Sequence, residues 1–166
     1  LISNGTGAVE LGYSSAGTQI NNNVTITYTL PGTISFGAST GTSTLATGQT
    51  ITISGFGGSG CGNLYLGGLT QSGATPQTIT LAGNTTATLS FVNSNFAAAV
   101  ALTATRYGLN GSTFQGAVTL QKTDGATDNL TGGNTFQSTT SITNTGSGEL
   151  NFGNTNPDIF NNNVTL

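Results

Sequence analysis

The chain has 166 residues, of which 34% are apolar and only 4% charged; five carboxylates stand against two basic side chains, for a net charge of −3. That length suits one domain with a continuous core of its own, and two basic residues are too few to displace the counterions of a nucleic acid. Thr (33), Gly (26) and Asn (18) fill nearly half the chain, so hydroxyls and amides solvate the surface where ordinary domains use about 25% charged residues.

A Gly-rich, charge-poor composition first suggests disorder, but Val, Ile, Leu and Phe recur at regular intervals. Period-2 alternation is frequent and the 3.6 period of a helix is missing. Two short units alternate down the chain. One is apolar-x-apolar, often closed by Gly; the other is an apolar anchor, three small or polar residues, then Val/Thr-x-Leu/Ile. In chain order, Val9-Glu10-Leu11-Gly12 precedes Ile20-NNN-Val24-Thr25-Ile26, and Ile34-Ser35-Phe36-Gly37 precedes a looser copy from Leu45 (LATGQTI). Leu64-Tyr65-Leu66-Gly67 precedes a looser copy from Thr75 (TPQTITL), and Leu89-Ser90-Phe91 precedes Phe96-AAA-Val100-Ala101-Leu102. A weak Tyr107-Gly108-Leu109 precedes Phe114-QGA-Val118-Thr119-Leu120, and Phe136-QST-Thr140-Ser141-Ile142 stands alone. Leu150-Asn151-Phe152-Gly153 then precedes Phe160-NNN-Val164-Thr165-Leu166.

The anchors at 20, 45, 75, 96, 114, 136 and 160 are 18 to 30 residues apart. Two strands joined by a turn and recurring at that spacing form one coil of a parallel β-solenoid. The expected fold is therefore all-β: a right-handed parallel β-solenoid (β-helix) of about seven coils, uncapped, with residues 1–166 as a single domain. An immunoglobulin-type β-sandwich is the alternative, although its strands need not repeat one template. Within a coil, Val24 and Ile26 or Val118 and Leu120 face the interior. Thr25, Thr52, Thr80, Ala101, Thr119, Ser141 and Thr165 face out, where small and β-branched residues suit a pleated surface. Asn runs at 21–23 and 161–163 fall at turns and can stack as hydrogen-bonded ladders, and Gly after the apolar-x-apolar unit supplies φ > 0 corners.

The end of the chain repeats its beginning. Residues 1–12 (LISNGTGAVELG) lie over 142–153 (ITNTGSGELNFG) at an offset of 141, and 21–26 (NNNVTI) lie over 161–166 (NNNVTL) at an offset of 140. A solenoid cut square exposes an unpaired strand edge at each end, and contact between such ends is head-to-tail and does not close. The expected polymer interface is Leu1, Ile2, Val9 and Leu11 at one end with Phe152, Phe160, Val164 and Leu166 at the other. The expected partners are copies of the chain or adjacent repeats of a larger one.

Residues 110–123 (NGSTFQGAVTLQKT), 132–136 (GGNTF), 142–148 (ITNTGSG) and 153–166 (GNTNPDIFNNNVTL) resemble the long repeat arrays of giant bacterial cell-surface proteins, the Thr/Asn/Gly-rich adhesins and gliding-associated filament proteins of Bacteroidetes-type bacteria. The resemblance covers the C-terminal third well and the middle more loosely. It implies an exported, cell-surface or extracellular, structural or adhesive role, with glycans or host surfaces as further partners, and it carries over no catalytic residue.

The chemistry available is sparse. His is absent, which removes the commonest general base and metal ligand and every Ser-His or Cys-His nucleophile pair. The carboxylates are Glu10, Asp124, Asp128, Glu149 and Asp158. Asp124 and Asp128, in Lys122-TDGATD-Asn129, are expected in a solvated turn. They are also the one weak metal candidate, a Ca²⁺ site without EF-hand spacing. No cofactor is implied. A carbohydrate-binding or carbohydrate-cleaving β-helix is an alternative function, for which cleavage needs paired carboxylates and Tyr65, facing out, is the aromatic candidate. Tyr13, Tyr28 and Tyr107 recur less regularly than the Phe residues, which are expected to stack in the core. Ice binding is a second alternative, weakened because the outward Thr rank breaks at Ala101 and Ser141. Cys61 is expected to be a small loop residue. Sequons at Asn4, Asn23, Asn84, Asn110, Asn129 and Asn163 matter only in a host with the transferase. No apolar run reaches the ~18 residues of a membrane span, and any targeting segment is expected outside the chain or already removed.

Overall fold

The structure, a computed structural model, describes residues 2–3, 7–12, 17–28, 32–37, 41–56, 62–81, 86–123 and 126–166, with only the backbone of 2–3 and 54–56. Its strands pair in parallel with strands one coil away, and no helix is present among the described residues. The chain is a parallel β-solenoid of seven coils, and each coil has three faces, not the two strands expected from the sequence. The first face carries Ala8–Leu11, Thr33–Phe36, Asn63–Gly67, Thr88–Val92, Arg106–Asn110, Asp128–Asn129 and Leu150–Asn151. The second carries Thr18–Ile20, Ser43–Leu45, Leu69–Gln71, Asn95–Phe96, Thr113–Phe114, Thr135–Phe136 and Ile159–Phe160. The third carries Val24–Tyr28, Ile51–Phe56, Gln77–Leu81, Val100–Ala104, Val118–Lys122, Thr140–Asn144 and Val164–Thr165, with Ile2–Ser3 ahead of them.

The anchor-xxx-Val-x-Leu unit bends round a corner. Its anchor ends a two- or three-residue strand on the second face, its small residues turn, and its Val opens a longer strand on the third. The left-handed corner after the first face holds one or two positive-φ residues in every coil: Gly12 with Gly17, Gly37, Gly68, Asn93, Gly111, Gly132 with Gly133, and Gly153. At Gly37 an added Cβ would also sit on the Gly67 carbonyl oxygen, so space and backbone both demand glycine there. Length varies most at the corner after the first face, from Gly68 alone between Asn63–Gly67 and Leu69–Gln71 to residues 152–158 between Leu150–Asn151 and Ile159–Phe160; after the third face, Thr105 alone joins Val100–Ala104 to Arg106–Asn110.

Inward side chains stack coil on coil into one core, with Ile26, Ile34, Phe36, Leu45, Leu64, Leu66, Leu89, Phe91 and Leu120 at 0–1% exposure. On the second face the stack is Ile20, Leu45, Gln71, Phe96, Phe114, Phe136 and Phe160. The four Phe rings lie nearly parallel, with centroids 5.8, 5.1 and 4.6 Å apart. The anchor read at Thr75 is corrected to Gln71, the register partner of both Leu45 and Phe96. Gln71 is buried because its amide works as backbone would: Nε2 donates to the Gly73 and Thr75 carbonyls, and Oε1 accepts from Ala98 N. Likewise Thr78, not Thr80, is the register partner of Ala101.

The ladder breaks into separate sheets between coils 2 and 3 on the third face and between coils 5 and 6 on the first. In both places an inward polar side chain stands in for the missing acceptor. Ile51 N donates to Gln77 Oε1 at 3.1 Å, and Tyr107 N donates to Asp128 Oδ2 at 3.0 Å. Buried amides need partners of some kind, so a break is tolerable only where a side chain supplies one.

Candidate functional site

The residue just before each second-face pair forms a column inside the solenoid that is polar in every coil but the third: Thr18, Ser43, Leu69, Ser94, Ser112, Asn134 and Asp158. From coil 3 onward each backbone amide in this column donates to the side chain one coil ahead. Leu69 N reaches Ser94 Oγ (3.1 Å), Ser94 N reaches Ser112 Oγ (3.1 Å), Ser112 N reaches Asn134 Oδ1 (3.0 Å) and Asn134 N reaches Asp158 Oδ1 (2.8 Å). Asn134 Nδ2 donates to the same Asp158 oxygen at 2.8 Å. Coil 1 to coil 2 uses backbone instead, with Thr18 N donating to Thr42 O at 2.9 Å. Two buried side-chain atoms among the described residues have no hydrogen-bond partner, and both belong to this column: Ser43 Oγ and Asp158 Oδ2. No local pattern marks this column, since its members differ and each follows a left-handed corner by a variable number of residues.

The end coils hold the residues expected at a polymer interface. Val9 and Leu11 are half-buried against the core at one end, as are Phe152 and Phe160 at the other. Val164 is 41% and Leu166 93% exposed, and Ile159, not singled out from the sequence, is 53% exposed. Leu1 lies outside the described residues, and of Ile2 only the backbone pairing with Thr27 is described. The terminal sequence repeat is also a positional one. Coil 7 places Leu150, Gly153, Phe160, Asn163, Val164 and Thr165 on the faces where coil 1 places Val9, Gly12, Ile20, Asn23, Val24 and Thr25. The corner glycines Gly12 and Gly153 share φ near 70°, at 71° and 66°.

Asp128 is not in a solvated turn. It takes the inward position that Leu89 and Tyr107 hold in earlier coils, and it is 3% exposed. Its Oδ1 accepts from Arg106 Nε (3.0 Å), and its Oδ2 accepts from Lys122 Nζ (2.9 Å) and Tyr107 N. Lys122, 0% exposed, stands in register with Ala104 and also donates to Thr105 O at 2.8 Å. Both basic residues of the chain thus converge on one buried carboxylate. Two cations already offset the charge of this buried carboxylate and three donors occupy most of its acceptor sites, so the Ca²⁺ reading of Asp128 is withdrawn; Asp124 lies outside the described residues. Among the described residues no three His, Cys, Asp or Glu side chains come together as metal ligands do.

Beside this cluster the Tyr107 hydroxyl donates to Gln121 O at 2.9 Å. Burial holds its phenol well above the usual 10.0, with the Asp128 charge acting in the same direction. The unfolded chain loses that proton from about pH 10 while the folded chain keeps it, so stability falls as pH rises past 10. In urea titrations between about pH 8 and 11.5, Tyr107→Phe is expected to remove part of that alkaline slope; an unchanged slope would contradict the burial assigned to the phenol.

Glu10 and Glu149 are exposed, and Glu149 Oε2 accepts from Asn151 Nδ2 (3.0 Å). With Asp128 inside the core and Asp158 in the polar column, no described pair of carboxylates faces a common groove. Tyr65 faces outward and its ring lies over Gly67. It borders a shallow groove of about 220 Å³ whose other walls are mostly Gly37, Gly41, Thr42, Gly68 and Asn93. Tyr28 is buried, its hydroxyl bonded to Asn63 O at 2.6 Å. Tyr13, Cys61, Asn4 and Asn84 lie outside the described residues. Compared with protein-family models, with curated proteins and with solved structures, the chain matches none.

Proposed function

We propose that this chain is a structural segment of an extracellular bacterial filament or adhesin, extended head to tail through its end coils. The observation that carries the reading is the equivalence of coil 7 and coil 1, in residues and in position on the three faces. Among the described residues no helix covers either end of the solenoid. Every strand pair among the described residues is parallel, and the seven-strand second face has an outer strand at each end, which is a template for another strand. Six coils advance roughly 29 Å at ~4.8 Å each. A charge-poor, hydroxyl-rich exterior over a continuous core fits a passive, stiff role outside the cell, as the resemblance of residues 110–166 to surface-protein arrays suggests.

The carbohydrate reading rests on the Tyr65 groove. Sugar sites combine an aromatic face with several placed polar groups, and here only Thr42 and Asn93 stand beside glycines, so the structural reading is preferred. The outward Thr rank (Thr25, Thr52, Thr78, Thr119) is interrupted by Ala101 and Ser141, which disfavours ice binding. Negative-stain microscopy of concentrated or native material tests the proposal. Thin rods whose lengths are multiples of roughly 29 Å are expected; compact monomers at high concentration by light scattering, with no larger parent polypeptide, would sink it.

A further inference from the structure

Head-to-tail growth leaves open which coil follows coil 7. Resting on the proposed function above, we infer that coil 7 takes the place of coil 1 of the next copy, so that the chain continues with a copy of residue 27 onward and the coil seated on coil 7 is a copy of coil 2 (residues 33–56), not a copy of coil 1. The period is then 140 residues, six coils, and the terminal 25 residues are shared by successive copies.

Four observations support this register. First, Asp158 occupies the column position of Thr18, whose register partner one coil ahead is Ser43. The two orphaned buried atoms, Asp158 Oδ2 and Ser43 Oγ, then face one another, and the serine hydroxyl donates to the carboxylate. Each atom has no partner in the single copy, and leaving such an atom unpaired costs about 1–3 kcal/mol. Second, Asn23 Oδ1 accepts from Thr50 N (2.9 Å) and Thr50 Oγ1 (3.3 Å). Asn163 stands where Asn23 does, with its side chain exposed and ready for the Thr50 of the next copy. That explains why the Asn triplet recurs. Third, a Cβ on Gly12 would come within 2.7 Å of Ser43 Oγ. Gly153 keeps the same spot clear, its nearest obstacle being 3.4 Å away. Fourth, Ile2–Ser3 pairs with Thr27 and Tyr28. By the repeat, Ile2 and Ser3 correspond to Thr143 and Asn144, the end of the Thr140–Asn144 strand. That strand already pairs Thr140 with Val164 and Ser141 with Thr165, so its next free partners are the positions of Thr27 and Tyr28. A coil 1 copy seated on coil 7 would satisfy none of these, because Thr18 would then lie over Asp158 and Asn23 over Asn163.

The test is a two-period chain, residues 1–166 followed directly by a second copy of 27–166, with Cys61→Ser in both periods. Asp158→Cys combined with Ser43→Cys in the second period is expected to form a disulfide on mild oxidation, since in-register parallel neighbours lie within disulfide reach. Asp158→Cys with Ser112→Cys of the second period is expected to form none. In the chain without these cysteines, the Asp158 amide is expected to exchange at least about tenfold more slowly than in the single-period chain. A single cooperative unfolding transition with no disulfide and no added protection overturns the register while leaving end-on growth standing. Two independent transitions, with the second period exchanging as an unfolded chain, overturn both.

Discussion

Asp128→Leu is expected to cost about 3–5 kcal/mol of stability, the loss seen when a buried charge is left without its partner. Lys122 causes the loss. With Asp128 removed, a fully buried ammonium keeps only the Thr105 carbonyl, and Tyr107 N loses its acceptor. Arg106, whose side chain is 38% exposed, can turn to water and contributes little. The double variant Lys122→Leu/Asp128→Leu should recover most of the loss or exceed the parent by about 1–4 kcal/mol, as ion clusters replaced by apolar side chains often do. The neighbouring coils supply the precedent: Leu81 and Ala104 occupy the column of Lys122, and Leu89 and Leu150 that of Asp128. The measurement is the urea midpoint at unchanged slope. A single Asp128→Leu cost under about 1 kcal/mol, or additive effects in the double variant, would mean that the cluster is not coupled as its geometry requires.

That cluster shows where the sequence could be read and where it could not. The solenoid and its coil number were legible because Val24, Ile26 and their equivalents alternate with outward Thr, and because the alternation returns seven times. Applied strictly, the same alternation also placed Lys122 inside: Val118, Leu120 and Lys122 share a face. The charge of Lys122 and the turn-like text after it, TDGATDN, outweighed that signal. The second face was harder. A two-residue strand such as Thr113–Phe114 shows no period at all, so its Phe read as the start of the strand that follows. Gln71 was misplaced for a chemical reason, since no hydropathy pattern puts an amide in an aromatic column; only the corner it bonds explains it. The polar column ending at Asp158 depends on side chains one coil apart, at separations of 18 to 25 residues, and no local pattern reports such a contact. The end repeat is legible in the sequence, but its meaning for register depends on the unpaired Ser43 and Asp158.

Phe114→Ala is the second large effect, again about 3–5 kcal/mol, the range for truncating a buried Phe. Phe114 is 1% exposed and lies in the stack 5.8 Å from Phe96 and 5.1 Å from Phe136, with Phe91 edge-on at 5.7 Å. Truncation therefore removes three ring contacts as well as buried area, and parallel neighbours above and below cannot collapse into the gap without bending both ladders. In a solenoid each coil is held by its neighbours, so the variant should also loosen coupling between coils 4 and 6, seen as faster amide exchange at Phe136 and beyond. Phe160→Ala supplies the contrast. Phe160 is half-buried and has a ring neighbour on one side of the stack only, Phe136, with Phe152 edge-on. In the single-period chain its truncation should cost clearly less than that of Phe114. In the two-period chain, where the Leu45 of the next coil 2 would cover it, the cost should rise toward the Phe114 value. Equal costs for Phe160→Ala in the two chains would show that no coil is added above it, whatever rods the microscope reveals.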